Sequence, residues 1–361
     1  MHVNLKNRFN NIFFSNDENS NHIKSLDGLR GLAVLFVVLS HASNAGILLY
    51  ESINFRFSGK IGVYLFFLLS AFLLDTQIIK NLKNKNADIH FWINYFLRRI
   101  LRIYSLFILS LLLYHYLSPY GVSIIIDNKD NILEHIFLLK GENIFWSIPV
   151  EFKYYLLSPI ILYLCHRFFN WNKTFTYCFL ILLIIGSTLT SNFYNLSSIS
   201  LVKYLPPFII GTIIAFEYII QPKFNSKSVL DRMPNLPLIS LGIIVLLIPD
   251  VFSFVFSTKI NIQGPAFIFP YSVLWGILLL SLLHKNHWIK QFFEWKMLRF
   301  IGVISYSVYL LHALILNFIR SLTIQNYYKF PVFLISTIFL SVLSFYIIER
   351  PFSKIYYSKR K

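Results

Sequence analysis

The sequence predicts an all-α, polytopic integral membrane protein with about ten transmembrane helices and both termini in the cytoplasm. Three observations carry this. Of 361 residues, 56% are hydrophobic and only 14% charged, with a mean hydropathy of +0.60; soluble domains carry about 25% charged residues. Several apolar runs exceed the roughly 18 residues that mark a spanning helix. Finally, Lys and Arg crowd every second inter-helix segment, as the positive-inside rule requires.

The spans fall in order at 27–49, 60–79, 100–117, 147–166, 174–191, 201–220, 236–256, 265–284, 300–319 and 330–349. Pro149, Pro206 and Pro207 fall inside these limits, which membrane helices tolerate where neighbours satisfy the freed carbonyls. With the N-terminus inside, the inner segments hold most of the cations, among them Lys6, Arg8, Lys80, Lys83, Arg98, Arg99, Arg102, Lys223, Lys227, Arg232, Lys285, Arg299, Lys359, Arg360 and Lys361. The outer ones hold few, such as Lys60, Lys203, Lys259 and Arg320. The chain then divides into a polar cytoplasmic tail (1–25), a transmembrane domain (26–352) and a basic cytoplasmic tail (353–361). A competing reading takes 32–40 as the core of a cleaved signal peptide, but its leading segment of about 30 residues is long for one.

Composition excludes several functions. The net charge of +17 sits between apolar runs, where it sets topology, so nucleic acid is not an expected partner. The two cysteines, Cys165 and Cys178, form neither a CxxC nor a Cys/His cluster, so neither a disulfide framework nor a metal site is expected. No Walker loop, GxGxxG, HExxH or GxSxG occurs.

Ionisable residues inside spans are the candidates for chemistry. The stretch LDGLRGLAVLFVVLSH (26–41) places Arg30 near the inner end of span one and His41 eleven residues further out. That is roughly 16 Å along the axis and about three turns, so both side chains share one helix face. WSIPVEF (146–152) places Glu151 in the outer half of span four, and ISYSVYLLH (304–312) places His312 about as deep as His41. A carboxylate beside an imidazole holds its tautomer and raises its basicity, so Glu151 is expected beside His41. FLRRILR (96–102) brings Arg98, Arg99 and Arg102 to the inner surface, where an arginine cluster suits phosphate or serves topology alone.

These segments, in this order, resemble the membrane-bound acyltransferase family 3. The resemblance covers about residues 25 to 352. It rests on Arg30 and His41, GVYLFFLLSAF (62–72), FLRRILRIY (96–104), WSIPVEF, IGVISYSVYLLH (301–312) and ERPFSK (349–354). It implies an acyl donor, acetyl-CoA, reached from the cytoplasm, and an acceptor hydroxyl on a cell-envelope glycan such as O-antigen, capsule, lipopolysaccharide or a lipid-linked precursor, in the bacterial inner membrane. It also implies catalytic roles for Arg30, His41 and Glu151, donor binding by Arg99, Arg102 and Arg98, and supporting roles for Tyr64, Ser70, Trp146, Tyr306, Tyr309 and His312. Two departures stand out. Tyr64 occupies a position where members often carry an acid, so an orienting role there passes to Tyr64, to Glu151 or to nothing. Ala71 occupies a position usually taken by Gly. The chain ends eleven residues after Arg350, so no appended extracytoplasmic domain is expected to assist it.

The expected reaction is transfer of acetyl from acetyl-CoA to a sugar hydroxyl, with His41 as general base or as a transient acetyl carrier. The rival class is a transporter or flippase of a sugar or lipid-linked glycan. Paired broken helices in the two halves would mark one; the sequence offers only Pro206–Pro207 as a break. An assembly scaffold is a third reading, one that would survive loss of His41.

Overall fold

The computed structural model describes residues 10, 12–14, 22–48, 54–118, 129–221, 233–258, 260, 264–284 and 288–355. The expected topology cations Lys6, Arg8, Lys223, Lys227, Arg232, Lys259, Lys285, Lys359, Arg360 and Lys361, and most of both tails, lie outside the described residues.

Among the described residues the regular structure is entirely helical. The elements are α1 (Lys24–Asn44), α2 (Ser58–Lys83), α3 (Ile89–Leu117), α4 (Lys129–Ile136), a 3₁₀ turn (Asn143–Trp146) leading into α5 (Ser147–Phe169), α6 (Lys173–Phe193) and α7 (Leu205–Ile220). Then follow α8 (Leu236–Leu246), α9 (Pro249–Phe256), α10 (Ile268–Leu283), α11 (Ile289–Phe293), α12 (Lys296–Val303), α13 (Ser305–Ser321), α14 (Asn326–Ser344), a π turn (Phe345–Glu349) and α15 (Arg350–Ile355). Two starts are written into the sequence as caps. Asp88 accepts a hydrogen bond from the Phe91 amide (2.7 Å) before α3, and Asn172 accepts one from the Phe175 amide (3.3 Å) before α6.

Among the described residues, eight helical stretches are long and apolar enough to cross a membrane, or up to ten if each of two bent pairs counts as one span. Those pairs, α8–α9 (90°) and α12–α13 (74°), stand where the spans at 236–256 and 300–319 are expected. Pro249 opens α9 and cannot donate the bond that would continue α8. The second bend has no proline; it falls at Ile304, just beyond Gly302, which is pinned against α1. Pro206 and Pro207 cause no break, because they occupy the first turn of α7, where no amide partner is lost. Pro149 likewise lies in the first turn of α5, while Pro159 and Pro331 are the prolines inside helices. Both bent pairs belong to the C-terminal half, so they are not the corresponding breaks expected of a transporter.

The bundle has an inner and an outer set of helices. In α1 and α2, 72% of the most apolar stretch is buried inside protein, against 28% in α6 and 17% across 326–352, where lipid is the solvent. Small residues let the inner helices approach closely. A Cβ on Gly211 of α7 would collide with the Leu68 carbonyl oxygen and come within 2.8 Å of the Ala71 methyl. Ala71 is thus accommodated by a glycine on the facing helix. Gly302 of α12 lies similarly on the Asp27 carbonyl of α1. Trp275 Nε1 donates to the Ile61 carbonyl (3.0 Å), tying α10 to α2. This rigid inner set carries the site.

Candidate active site

At the end of the bundle where α1 stops and α2 starts, a cavity of about 730 Å³ opens beside His41. Its walls include Ser40, Asn44, Gly59, Tyr64, Tyr271 and Asn317, with Trp146, Asn143 and Tyr309 on the side of the 3₁₀ turn. Gly59 of α2 packs on the C-terminal end of α1, where a Cβ would lie 3.3 Å from the Ser40 side chain and 3.7 Å from Cδ2 of His41. Tyr309 fixes the 3₁₀ turn: its hydroxyl donates to the Ile144 carbonyl (2.6 Å) and lies 2.8 Å from the Ser147 hydroxyl. Trp146 packs against Tyr204, ring centroids 4.7 Å apart. Tyr64 is buried among Tyr204 and Tyr271.

His41 has a partner, and it is another histidine. His41 Nδ1 and His312 Nε2 are 3.0 Å apart. His312 is fully buried, and its Nδ1 lies 2.8 Å from the Tyr309 carbonyl and 3.0 Å from the Val308 carbonyl. Carbonyl oxygens only accept, so His312 Nδ1 carries the proton. The Nε2 of the neutral ring is then an acceptor, and the proton between the rings belongs to His41 Nδ1. By elimination, His41 Nε2 holds a lone pair, and His41 lines the cavity.

Glu151 does not pair with His41, contrary to the expectation from sequence. It accepts hydrogen bonds from the hydroxyls of Ser70 and Tyr155. Ser70 is eleven residues along α2 from Gly59, so Glu151 sits roughly 16 Å deeper than the imidazole. The cavity beside His41 is lined by Asn143, Ile144 and Trp146 of the 3₁₀ turn ahead of α5, and Glu151 lies further along α5, away from it. Tyr64 does not hydrogen-bond His41 either; His312 fills the place beside it.

Glu151 belongs instead to a charged layer at the level of Arg30. Arg30 feels the charges of Arg102, Asp27 and Glu151. Arg99 and Arg102 both act on the Tyr155 hydroxyl, and Arg102 on Glu349, which accepts a hydrogen bond from Ser307. Tyr306 donates to the Ile103 carbonyl (2.7 Å), binding α13 to α3 beside this layer. Asp27, within 3.9 Å of Arg30, also meets Arg299 (3.5 Å) and His22 (3.2 Å).

Two further cavities open toward that end. Arg30 lines one of about 350 Å³ with Thr76 and Lys80. Arg98 lines another of about 570 Å³ with Gln77, Lys80 and Asn81. Gln77 and Lys80 are common to both, so the two adjoin along α2. The three arginines of FLRRILR therefore split, Arg98 into a cavity and Arg99 and Arg102 toward Tyr155. Arg99 Nε is buried without a hydrogen-bond partner.

Asp75 is a buried polar centre that the sequence analysis did not single out. It is fully buried between α2, α5 and α7, and accepts from Tyr154 (2.7 Å), Thr212 (2.7 Å) and Ser158. Tyr154 and Ser158 are four apart on α5, and that shared face was the available signal. Among the described residues no group of His, Cys, Asp or Glu is arranged to hold a metal.

Comparison with known proteins gives a consistent picture. The acyltransferase 3 family, described as "Acyltransferase domain", matches residues 23–350. A Staphylococcus aureus (strain COL) protein named "Putative O-acetyltransferase" is 24% identical over 94% of this chain and 59% of its own length. "O-acetyltransferase OatA" of S. aureus (strain NCTC 8325) is 25% identical over 92% of this chain and 57% of its own length. The chain therefore spans less than two thirds of these relatives. No solved structure matches it.

Proposed function

The chain belongs to the acyltransferase 3 family, and from that premise we propose that it is a membrane O-acetyltransferase that moves an acetyl group from cytoplasmic acetyl-CoA to a hydroxyl of a cell-envelope glycan. The observation that carries the reading is the hydrogen bond between His41 and His312. Anchored on two carbonyls, His312 accepts the Nδ1 proton of His41 and fixes the tautomer in which Nε2 is the base. His312 thus performs the orienting task expected of an acid, and performs it with a neutral group.

The acyl donor supplies an activated carbonyl. His41 Nε2 takes the proton of the acceptor hydroxyl as its oxygen attacks, and returns it to the leaving group. Since His312 Nε2 accepts, it shares the positive charge that develops on His41. The residues at the opposite end suit the donor's phosphates: Arg98 and Lys80 line adjoining cavities, and the buried, unpartnered Nε of Arg99 supplies a donor awaiting an anion. The Lys and Arg bias supports placing that end, with both termini, in the cytoplasm of a bacterial inner membrane. The charged layer of Arg30, Glu151 and Arg102 lies between donor end and base, where it would position the thioester arm. The names of the staphylococcal relatives support O-acetyl transfer. The same lone pair would also serve a route in which His41 carries the acetyl group itself.

The test uses protein in nanodiscs with radiolabelled acetyl-CoA and envelope glycan. Label on glycan from wild type and none from His41→Ala is the expected result. Glycan labelled equally by both proteins would remove His41 from the chemistry. Label trapped on wild type, absent from the variant, would select the acetyl-His route.

A further inference from the structure

The mouth of the His41 cavity carries an excess of positive charge. Lys60, next to Gly59, and Arg320, eight residues beyond His312, both line the cavity and are exposed. Neither has a carboxylate within ion-pair distance among the described residues, and no described Asp or Glu lines the cavity. Lys203 lies close enough to feel the charge of Lys60, with its ammonium 5.8 Å from the Tyr204 ring centroid. Lys329 donates to the Arg320 carbonyl (3.4 Å). Lys60 and Arg320 share one opening, and with Lys203 close to Lys60 these like charges repel one another with no carboxylate on the cavity wall to offset them. At the extracytoplasmic end they also run against the charge bias that orients the chain. The wall behind them is aromatic, with Trp146 tilted 40° against Tyr204 and Tyr271 nearby, a surface that sugar ring faces cover well. The cavity's volume lies in the range of small-ligand sites.

We propose that this mouth selects an acidic acceptor, a glycan carrying a carboxylate or phosphate close to the hydroxyl that is acetylated, with Lys60 and Arg320 holding the anion and Trp146 and Tyr271 the sugar rings. This rests on the acetyltransferase reading above and adds the acceptor's charge class to it. Arginine and lysine recognise both anions, so the source is left to the test.

The experiment offers three tetrasaccharides to the full chain in nanodiscs: a neutral one of N-acetylglucosamine, its 6-phosphorylated form, and a hyaluronan tetrasaccharide bearing carboxylates. Binding and acetyl transfer are followed for wild type and the double variant Lys60→Gln/Arg320→Gln. The expected result is at least one anionic glycan bound tenfold or more tighter than the neutral one. That preference should fade with salt, vanish in the double variant and survive Lys60→Arg. Which anionic glycan wins identifies carboxylate or phosphate. Transfer to all three with equal KM, or a preference that survives the double variant, overturns the inference and leaves the transferase reading standing. Neither transfer nor preferential binding to any glycan overturns both.

Discussion

The two ends of α1 solve the problem of polar groups in a membrane in opposite ways. At Arg30, charge is answered by charge: Asp27 serves Arg30 and Arg299 at once. At His41 no described charge answers. The ring is held by a second neutral ring, which in turn is held by main-chain carbonyls. A layer built from paired ions is suited to gripping a charged molecule. A chain of neutral donors and acceptors ending in one unshared lone pair is suited to moving a proton. The eleven residues between Arg30 and His41 separate these tasks by roughly 16 Å on one helix face.

That contrast ranks the perturbations. Removing the proposed base is the largest: His41→Ala should lower acetyl transfer by 10²–10⁴, about 3–5 kcal/mol of barrier, measured as kcat at saturating donor. A His41→Ala/Ala42→His double variant should be equally inactive yet insert normally, because one residue turns the ring about 100° from the face. Wild-type turnover in that variant would break the face argument.

A smaller effect, on stability, is expected where the layers lock together. Gly302→Ala forces a methyl into the Asp27 carbonyl and should cost about 1–3 kcal/mol in denaturation. No change in Tm would mean that α12 and α1 are less tightly packed than described. Glu151→Gln tests the contrast itself. If Glu151 served His41, it would be as damaging as His41→Ala. Placed with Ser70 and Tyr155 it should lower kcat by less than tenfold, about 1 kcal/mol, with most of the effect in KM for acetyl-CoA. Least of all, Lys140→Gln should leave transfer unchanged. Glu134 and Glu142 raise the pKa of this exposed loop lysine, but it lies in neither layer.

Much of this was legible in the sequence because the bilayer imposes a simple code. Each expected span has a helical counterpart, since length and hydropathy suffice when every backbone group must be satisfied within its own helix. The two bends were not legible. One needed knowledge of which proline opens a helix, and the other depends on a contact between Gly302 and α1. At the site, spacing located Arg30 and His41 on one face. Depth misplaced Glu151, because counting residues into span four could not reveal that the residues lining the cavity lie ahead of the span, in the 3₁₀ turn at Asn143–Trp146. His312 was placed at the depth of His41, but its tautomer is set by the Val308 and Tyr309 carbonyls, which carry no side-chain signature. Asp75 is explained only by hydroxyls from two other helices.

In the proposed mechanism His41 acts as a base because His312 accepts its Nδ1 proton. The direct measurement is the single-turnover rate of acetyl transfer by His312→Gln and His312→Leu, each with matched folding and acetyl-CoA affinity. A glutamine carbonyl can accept that proton and a leucine cannot. The Gln variant should keep most of the rate while the Leu variant loses about 10²-fold, some 3 kcal/mol. Equal rates in the two variants would contradict it.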